Sequence, residues 1–233
     1  MGNIAIITAR GGSKRIPRKN IKLFCGRPIM EYSICAALES GLFEEVMVST
    51  DDQEIGEIAE KCGAKVPFYR SEATSNDYAT TSDVLLEVLL EYQKRGLTFD
   101  YMSCIYPTAP FVTAEKLSKA MDLLQSAEAD SLMPVVSFSF PPQRASIYDG
   151  TFLKMYWPEN LNIRSQDLQP WYHDCGQFYF IKTAVFLKER RLYVKKTIPM
   201  FLSELEVQDI DNETDWKLAE QKFMLCGKLN REE

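Results

Sequence analysis

The stretch Ile4-Ala5-Ile6-Ile7-Thr8-Ala9-Arg10-Gly11-Gly12-Ser13-Lys14-Arg15-Ile16-Pro17-Arg18-Lys19-Asn20 decides how this chain is read. Its first part is an apolar run that predicts a strand over 4–9, and its second part is a loop with adjacent glycines and a series of cations. Glycines let a backbone approach a ligand closely. Arg10, Lys14, Arg15, Arg18 and Lys19 can pair with phosphate oxygens, so the loop is expected to hold a polyphosphate. The loop is neither G-x-x-x-x-G-K-[ST] nor G-x-G-x-x-G, which removes the main support for a Walker-type site or a dinucleotide-dependent oxidoreductase.

Charge points the same way. The first thirty residues carry seven basic side chains, with Lys22 and Arg27 completing the set, and no acidic one, whereas the 233-residue chain has a net charge of −6. Subtracting those seven leaves −13 on the other 203 residues, so the positive field is local. This fits a small anionic ligand and not a nucleic acid, which needs a broad basic face. With 45% hydrophobic residues the chain can bury a sizeable core as one domain over 1–233. The six cysteines are scattered without a C-x-x-C pair and His173 is the one histidine, so metal-ligand spacing is absent and reduced, buried thiols are expected. No charged leader precedes the apolar start and no run reaches transmembrane length, so a cytoplasmic protein without a membrane partner is expected.

Outward from the opening stretch, apolar β-rich runs alternate with segments of helical period. Strands are predicted over 45–49, 66–69, 101–106 and 131–137, and helices over 28–40, 53–61, 81–94 and 113–126. This rhythm predicts an α/β fold of three αβα layers around a mostly parallel central sheet, with ligands at the carboxyl ends of the strands. After Phe138 the rhythm breaks at Pro141-Pro142, Asp149-Gly150 reads as a hairpin turn, and residues 138–172 are expected to form an insertion. Strands over 176–181 and 207–210, a closing helix over 212–225 and a frayed tail over 227–233 complete the expectation.

The run from Ile7 to Asn20 resembles the acylneuraminate cytidylyltransferase family. Four further segments line up in order: Arg70 to Asp77, Tyr106-Pro107-Thr108-Ala109-Pro110, Arg164 to Tyr179, and Asp209-Ile210-Asp211. The segments Ile105 to Phe111, Arg164 to Leu168 and Tyr172 to Tyr179 resemble the branch that activates pseudaminic acid. The resemblance implies the nucleotide-diphospho-sugar transferase type of fold. The implied reaction is attack of a sugar hydroxyl on the α-phosphorus of CTP, releasing pyrophosphate and forming a CMP-sugar.

On this resemblance CTP is held by Ala9, Arg10, Gly11, Gly12, Ser13, Lys19, Asn20, Arg70, Thr80, Thr81 and Ser82. Arg10, Lys19, Asp209 and Asp211 carry the catalysis, and Asp209 and Asp211 hold Mg2+. Spacing alone leaves the two aspartates open, since i and i+2 carboxylates on an extended segment can grip a hard cation while Asp211 or Asn212 could equally cap the closing helix. For the nine-carbon acidic sugar the candidates are Tyr106, Arg164, Gln166, His173, Gln177 and Tyr179. Tyr106 stands where sialic-acid-specific relatives show Gln, which favours a differently substituted nonulosonic acid over N-acetylneuraminate, with legionaminate the other alternative. The aromatic-rich insertion is expected to be covered by a second copy in a homodimer. Rivals from other classes are a nucleotide sensor without turnover and the oxidoreductase, which retention of NAD(H) would revive.

Overall fold

A computed structural model describes residues 2–229. In chain order, β1 (Gly2–Thr8) leads through the basic loop to a small hairpin, β2 (Leu23–Phe24) and β3 (Arg27–Pro28), then to α1 (Ile29–Glu39), β4 (Glu45–Ser49) and α2 (Gln53–Lys61). Next come α3 (Glu72–Ser75), α4 (Thr81–Lys94), β5 (Phe99–Ile105), α5 (Ala114–Ser126) and β6 (Ser131–Ser137). The chain then forms a second hairpin, β7 (Ser146–Tyr148) and β8 (Leu153–Met155), before β9 (Tyr172–Asp174), β10 (Phe178–Lys182), α6 (Thr183–Glu189), β11 (Thr197–Phe201) and α7 (Glu213–Leu229).

The main sheet has the order β11-β6-β10-β5-β1-β4, with β9 beside β6. β1 runs parallel to β4 and β5, while β10 enters antiparallel between β5 and β6. Side chains of β1 alternate between two cores: Ala5 and Ile7 meet α1, α2 and α5, and Ile4 and Ile6 meet α4 and α6. β10 repeats this with Phe178 and Phe180 on one face and Tyr179 and Ile181 on the other. A strand buried on both faces is what helices on each side of a sheet require, so the three-layer α/β expectation holds.

Local chemistry sets the helix starts. The Asp52 carboxylate caps α2 by accepting the Ile55 N–H, Thr113 caps α5, and Thr80 with Asp83 forms a capping box at α4. Where the run after α2 must turn back, Gly63 adopts φ 95°, a conformation that L side chains rarely tolerate.

Three expectations fail for physical reasons. Residues 66–69 form no strand: Lys65 makes a single bridge to Met47 and Pro67, which has no N–H to give, ends it. Residues 207–210 form none either, because the carbonyls of Glu206, Val207 and Ile210 are taken by side chains, those of Gln177, Lys222 and Lys19. The edge strand is instead β11, and with α6 it was not foreseen; Pro199 sits inside β11, tolerable only at an edge. The frayed tail is corrected as far as Leu229, which is helical, and 230–233 lie outside the described residues.

A third apolar cluster decides where the closing helix lies. Ile16 of the basic loop, Phe24, Ile29, Phe111, Ile210, Trp216 and Ala219 are buried together, with Tyr32 and Phe223 against them. This draws α7 and the segment before it onto the basic loop, although about 190 residues separate them in sequence.

Candidate active site

At the carboxyl end of β1 the Ala9 N–H still bonds to the Ser49 carbonyl at 2.9 Å, and the chain then leaves the sheet as the basic loop. The loop is pinned from below. Gly11 donates its N–H to Asp51 Oδ1 at 2.8 Å, and a Cβ at Gly11 would lie 2.7 Å from Asp52 Oδ2, so any larger residue would have to push the Asp52 side chain aside. Buried Asn20 donates to the Arg10 carbonyl at 2.8 Å and ties the two ends of the loop together.

Arg18 departs from the expectation. Its backbone is left-handed, at φ 55°, and its guanidinium turns away from the cleft to pair with Asp52 and Glu54. It therefore holds the loop to the start of α2 and faces no ligand. The Arg18 hydrogen bond, together with the cap bond from Ile55, holds the Asp52 carboxyl below its usual 3.8. A depressed carboxylate gives stability that is present above the unfolded value and lost as pH falls through the folded one. Asp52→Asn keeps the cap but removes the charge, so its unfolding midpoint in urea is expected to change less than that of the wild type between pH 5 and about pH 2.5.

The other loop cations face a cleft of about 490 Å³ at the carboxyl edge of the sheet. Arg10, Ser13, Lys14, Arg15, Lys19 and Asn20 line it, with Arg70, Thr81, Tyr106 and Asp211. Arg10 and Lys14 both pair with Asp77, Arg10 at 2.8 Å. Arg15 pairs with Asp211 at 2.8 Å, and Lys19 donates to the carbonyl of Ile210, between the two aspartates, at 2.6 Å. Burial pushes the Lys19 ammonium down while Asp211 and Asp209 oppose that shift. The late aspartates and the early cations thus meet at one edge of the sheet. Asp77 was not among the expected residues; a single exposed aspartate in a polar loop carries no signal until the fold brings it to two cations.

Arg70 is not a solvated loop charge. Its Nε donates to Ser49 Oγ at 2.9 Å and its Nη2 to the Ser49 carbonyl at 2.7 Å, and burial pushes its pKa down to about 10. Thr80 and Ser82 do not line the cleft, and the Thr80 hydroxyl is engaged with Asp83 in the cap of α4. Ala9 is fully buried beneath the loop, and Gly12 has open space around it.

Capping of α7 falls to Asn212, whose Oδ1 accepts the N–H groups of Thr214 and Asp215, at 2.8 and 3.0 Å. Asp211 is thereby left free of the helix cap. Asp211 lines the first cleft, while Asp209 lines a second, of about 430 Å³, together with His173, Asp174, Glu204 and Lys222. Asp209 is exposed by area, yet crowding around its carboxyl and the charge of Asp211 push its pKa up. Two carboxylates straddle the wall between the clefts.

The six sugar candidates divide. Tyr106 lines the first cleft and His173 the second. Tyr179 is buried between β5 and β6 on β10, and Gln177 is buried two residues before it, giving its amide to the Glu206 carbonyl while its Oε1 has no partner among the described residues. Arg164 and Gln166 lie on the segment between β8 and β9 and reach neither cleft of this chain: Arg164 pairs with Asp167 at 2.7 Å, and Gln166 lines a separate groove with Phe138 and Trp171. Phe140, Tyr148, Phe152 and Tyr156, all within residues 138–172, are exposed, so they do not complete the core of the chain. All six cysteines are free, and of them only Cys104 and Cys175 are buried, fewer than expected. Among the described residues no helix is long and apolar enough to cross a membrane.

Known proteins share this architecture. The solved structure of a CMP:2-keto-3-deoxy-manno-octonic acid synthetase complexed with CTP superposes with a TM-score of 0.68 over 98% of this chain and 100% of that one, at 15% identity, which speaks for the fold. A pseudaminic acid cytidylyltransferase of Campylobacter jejuni is 39% identical, covering 100% of this chain and 99% of the relative. A CMP-N,N'-diacetyllegionaminic acid synthase of Legionella pneumophila is 32% identical over 95% of this chain and 96% of that protein. The model of one family, described as cytidylyltransferase, matches residues 4–217, a span that opens on β1 and closes just beyond the two aspartates. By that match and by its relatives, this chain belongs to the cytidylyltransferase family.

Proposed function

We propose that the chain transfers CMP from CTP to a nonulosonic acid, pseudaminic acid first, with release of pyrophosphate. The observation that carries this is the meeting of Lys19 and Arg15 with the Asp209–Asp211 segment across the first cleft. The relatives that share the chain's full length act, by their names, on pseudaminic and legionaminic acids. Family membership leaves the oxidoreductase without support.

In this reading the triphosphate lies in the first cleft. Arg10, Lys14, Arg15 and Lys19 compensate the charge on its oxygens, and the Ser49-anchored Arg70 faces the nucleoside with Asn20 and Thr81. Ala9, Gly11, Gly12 and Ser13 shape the loop around it, with Thr80 and Ser82 placing the first turn of α4. Binding would exchange Asp77 for phosphate oxygens on Arg10 and Lys14. Arg10 and Lys19, held by protein contacts before the ligand arrives, stabilise the charge that develops as pyrophosphate leaves.

Asp209 and Asp211 would hold Mg2+. The chemistry of the donors suits it: Lys19 holds the Ile210 carbonyl between them, Asp211 lines the first cleft, and two carboxylates are hard oxygen donors for an ion that takes its remaining ligands from water and phosphates. Bound there, Mg2+ neutralises phosphate charge. His173 and Gln177 would line the sugar side with Tyr106 and Tyr179, and Arg164 and Gln166 would serve a neighbouring copy in a homodimer that covers the exposed aromatics of residues 138–172. Nothing in this reading requires a membrane or a nucleic acid, and the protein would act in the cytoplasm.

The test is pyrophosphate release with Mg2+ across a panel of sugar acids and nucleotides. CTP with pseudaminic acid is expected to give the highest kcat/KM, and UTP, ATP and GTP little. High turnover of N-acetylneuraminate with none of pseudaminate would overturn the sugar assignment, and binding of CTP without pyrophosphate release from any sugar acid would indicate a sensor.

A further inference from the structure

Arg70, Thr74, Asn76, Asp77 and Ala79 of the first cleft all come from one run, residues 70–80, which leads into α4. Thr74 is the one buried residue of that run, and it is polar. No apolar side chain anchors this wall of the cleft in a core, so hydrogen bonds must place it. At one end the Arg70 N–H goes to the Thr50 carbonyl at 2.9 Å, and at the other Thr80 and Asp83 cap α4. Between them the chain forms only the single turn of α3.

That turn is held from outside. Glu87, half-buried about two turns into α4, accepts the Ser71 N–H on Oε1 at 2.9 Å and the Thr74 hydroxyl on Oε2. Ser71 is the N-cap of α3 and Thr74 its third residue. In a capping box the third residue is a Glu or Gln whose side chain takes the N-cap N–H. Thr74 has no carboxylate to do this, and the Ser71 side chain makes no cap of its own. Glu87 supplies the missing carboxylate from another helix, although it lines neither cleft. The amides of Arg70 and Ser71 are thus fixed in succession, and the Arg70 guanidinium, bonded to Ser49, extends from a backbone that cannot drift.

We infer that Glu87 is a positioning residue for the nucleotide: by holding Ser71 and Thr74 from α4, it fixes the run that carries Arg70 and Thr74 against the first cleft. The inference rests on the function proposed above and adds to it a residue outside its candidate set. What matters is the reach of the side chain and its two hydrogen-bonding atoms. Glutamine has both: its Oε1 can accept the Ser71 N–H and its Nε2 can donate to Thr74 Oγ1, whose own proton then turns to the Ser71 carbonyl, 3.3 Å away.

Glu87→Ala is expected to raise the KM for CTP about tenfold or more in pyrophosphate-release kinetics with Mg2+, while kcat and the KM for pseudaminic acid stay within about twofold. Glu87→Gln should stay within about threefold of the wild type in all three. Calorimetric titration with CTP and Mg2+, without any sugar, should show the same contrast in Kd. The inference is overturned by a CTP KM and Kd that do not change in Glu87→Ala, by a sugar KM that rises as far as the CTP KM, or by a Glu87→Gln defect as large as that of alanine. Should Glu87→Ala fail to fold, Glu87→Asp, which keeps the charge but is one methylene short, is judged by the same outcomes. Wild-type turnover reports on the reaction itself, and the ratio of variant to wild-type Kd for CTP reports on Glu87.

Discussion

Asp211→Asn is expected to lower kcat with CTP and sugar acid by about 100- to 1,000-fold while leaving the protein folded. Asparagine has the size of aspartate but no charge. If Asp211 holds one side of a divalent ion, its loss removes several kcal/mol of charge stabilisation at the leaving phosphates, and each 1.36 kcal/mol is a decade in rate. Stability should hardly respond. The Arg15 partner of Asp211 is largely exposed, with side-chain exposures of 69% and 42%, and exposed pairs contribute about 0–1 kcal/mol. The helix cap is untouched, because Asn212 provides it. A melting temperature within about 4 °C of the wild type together with the large loss of kcat is the expected result. A loss of kcat below tenfold would mean that Asp211 serves only to pair Arg15.

Phe24→Ala carries the largest expected effect on stability, about 3–5 kcal/mol. Phe24 is fully buried and meets three other rings edge-on, Tyr32 at 5.8 Å, Trp216 at 5.6 Å and Phe223 at 5.4 Å between centroids. It lies on β2, immediately after the basic loop, whereas Trp216 and Phe223 lie on α7. Truncation therefore opens a cavity between the segment that carries the cations and the segment that carries the aspartates. Urea or thermal unfolding should show the loss, and at temperatures where the variant stays folded the KM for CTP should rise as the two segments loosen. A cost below about 1 kcal/mol would show that the cluster does not join them.

Much of this architecture is legible in the chain because local signals and tertiary demands agree. β4, α2, α4 and β6 fall within the expected bounds since apolar period, caps and glycine stops coincide there. β11 is hidden by Pro199, and residues 207–210 read as a strand because Val207 and Ile210 are core residues whose carbonyls are taken by the side chains of Lys222 and Lys19, distant in sequence. The site divides the same way. The Arg10 loop and the two aspartates were visible as dense, ordered motifs. Arg18 was misassigned because a cation looks the same in sequence whether it faces a ligand or Asp52. Asp77 matters only through partners that the fold supplies, Arg10 and Lys14.

On the proposed function, segments from both ends of the chain close one metal-assisted clamp on a triphosphate. Anomalous scattering from crystals of the protein grown with CTP and Mn2+ is the sharpest test. A manganese peak is expected within coordination distance of the carboxylates of Asp209 and Asp211, with the triphosphate against Arg10 and Lys19. Manganese bound elsewhere, or a triphosphate seated away from the basic loop, would contradict it.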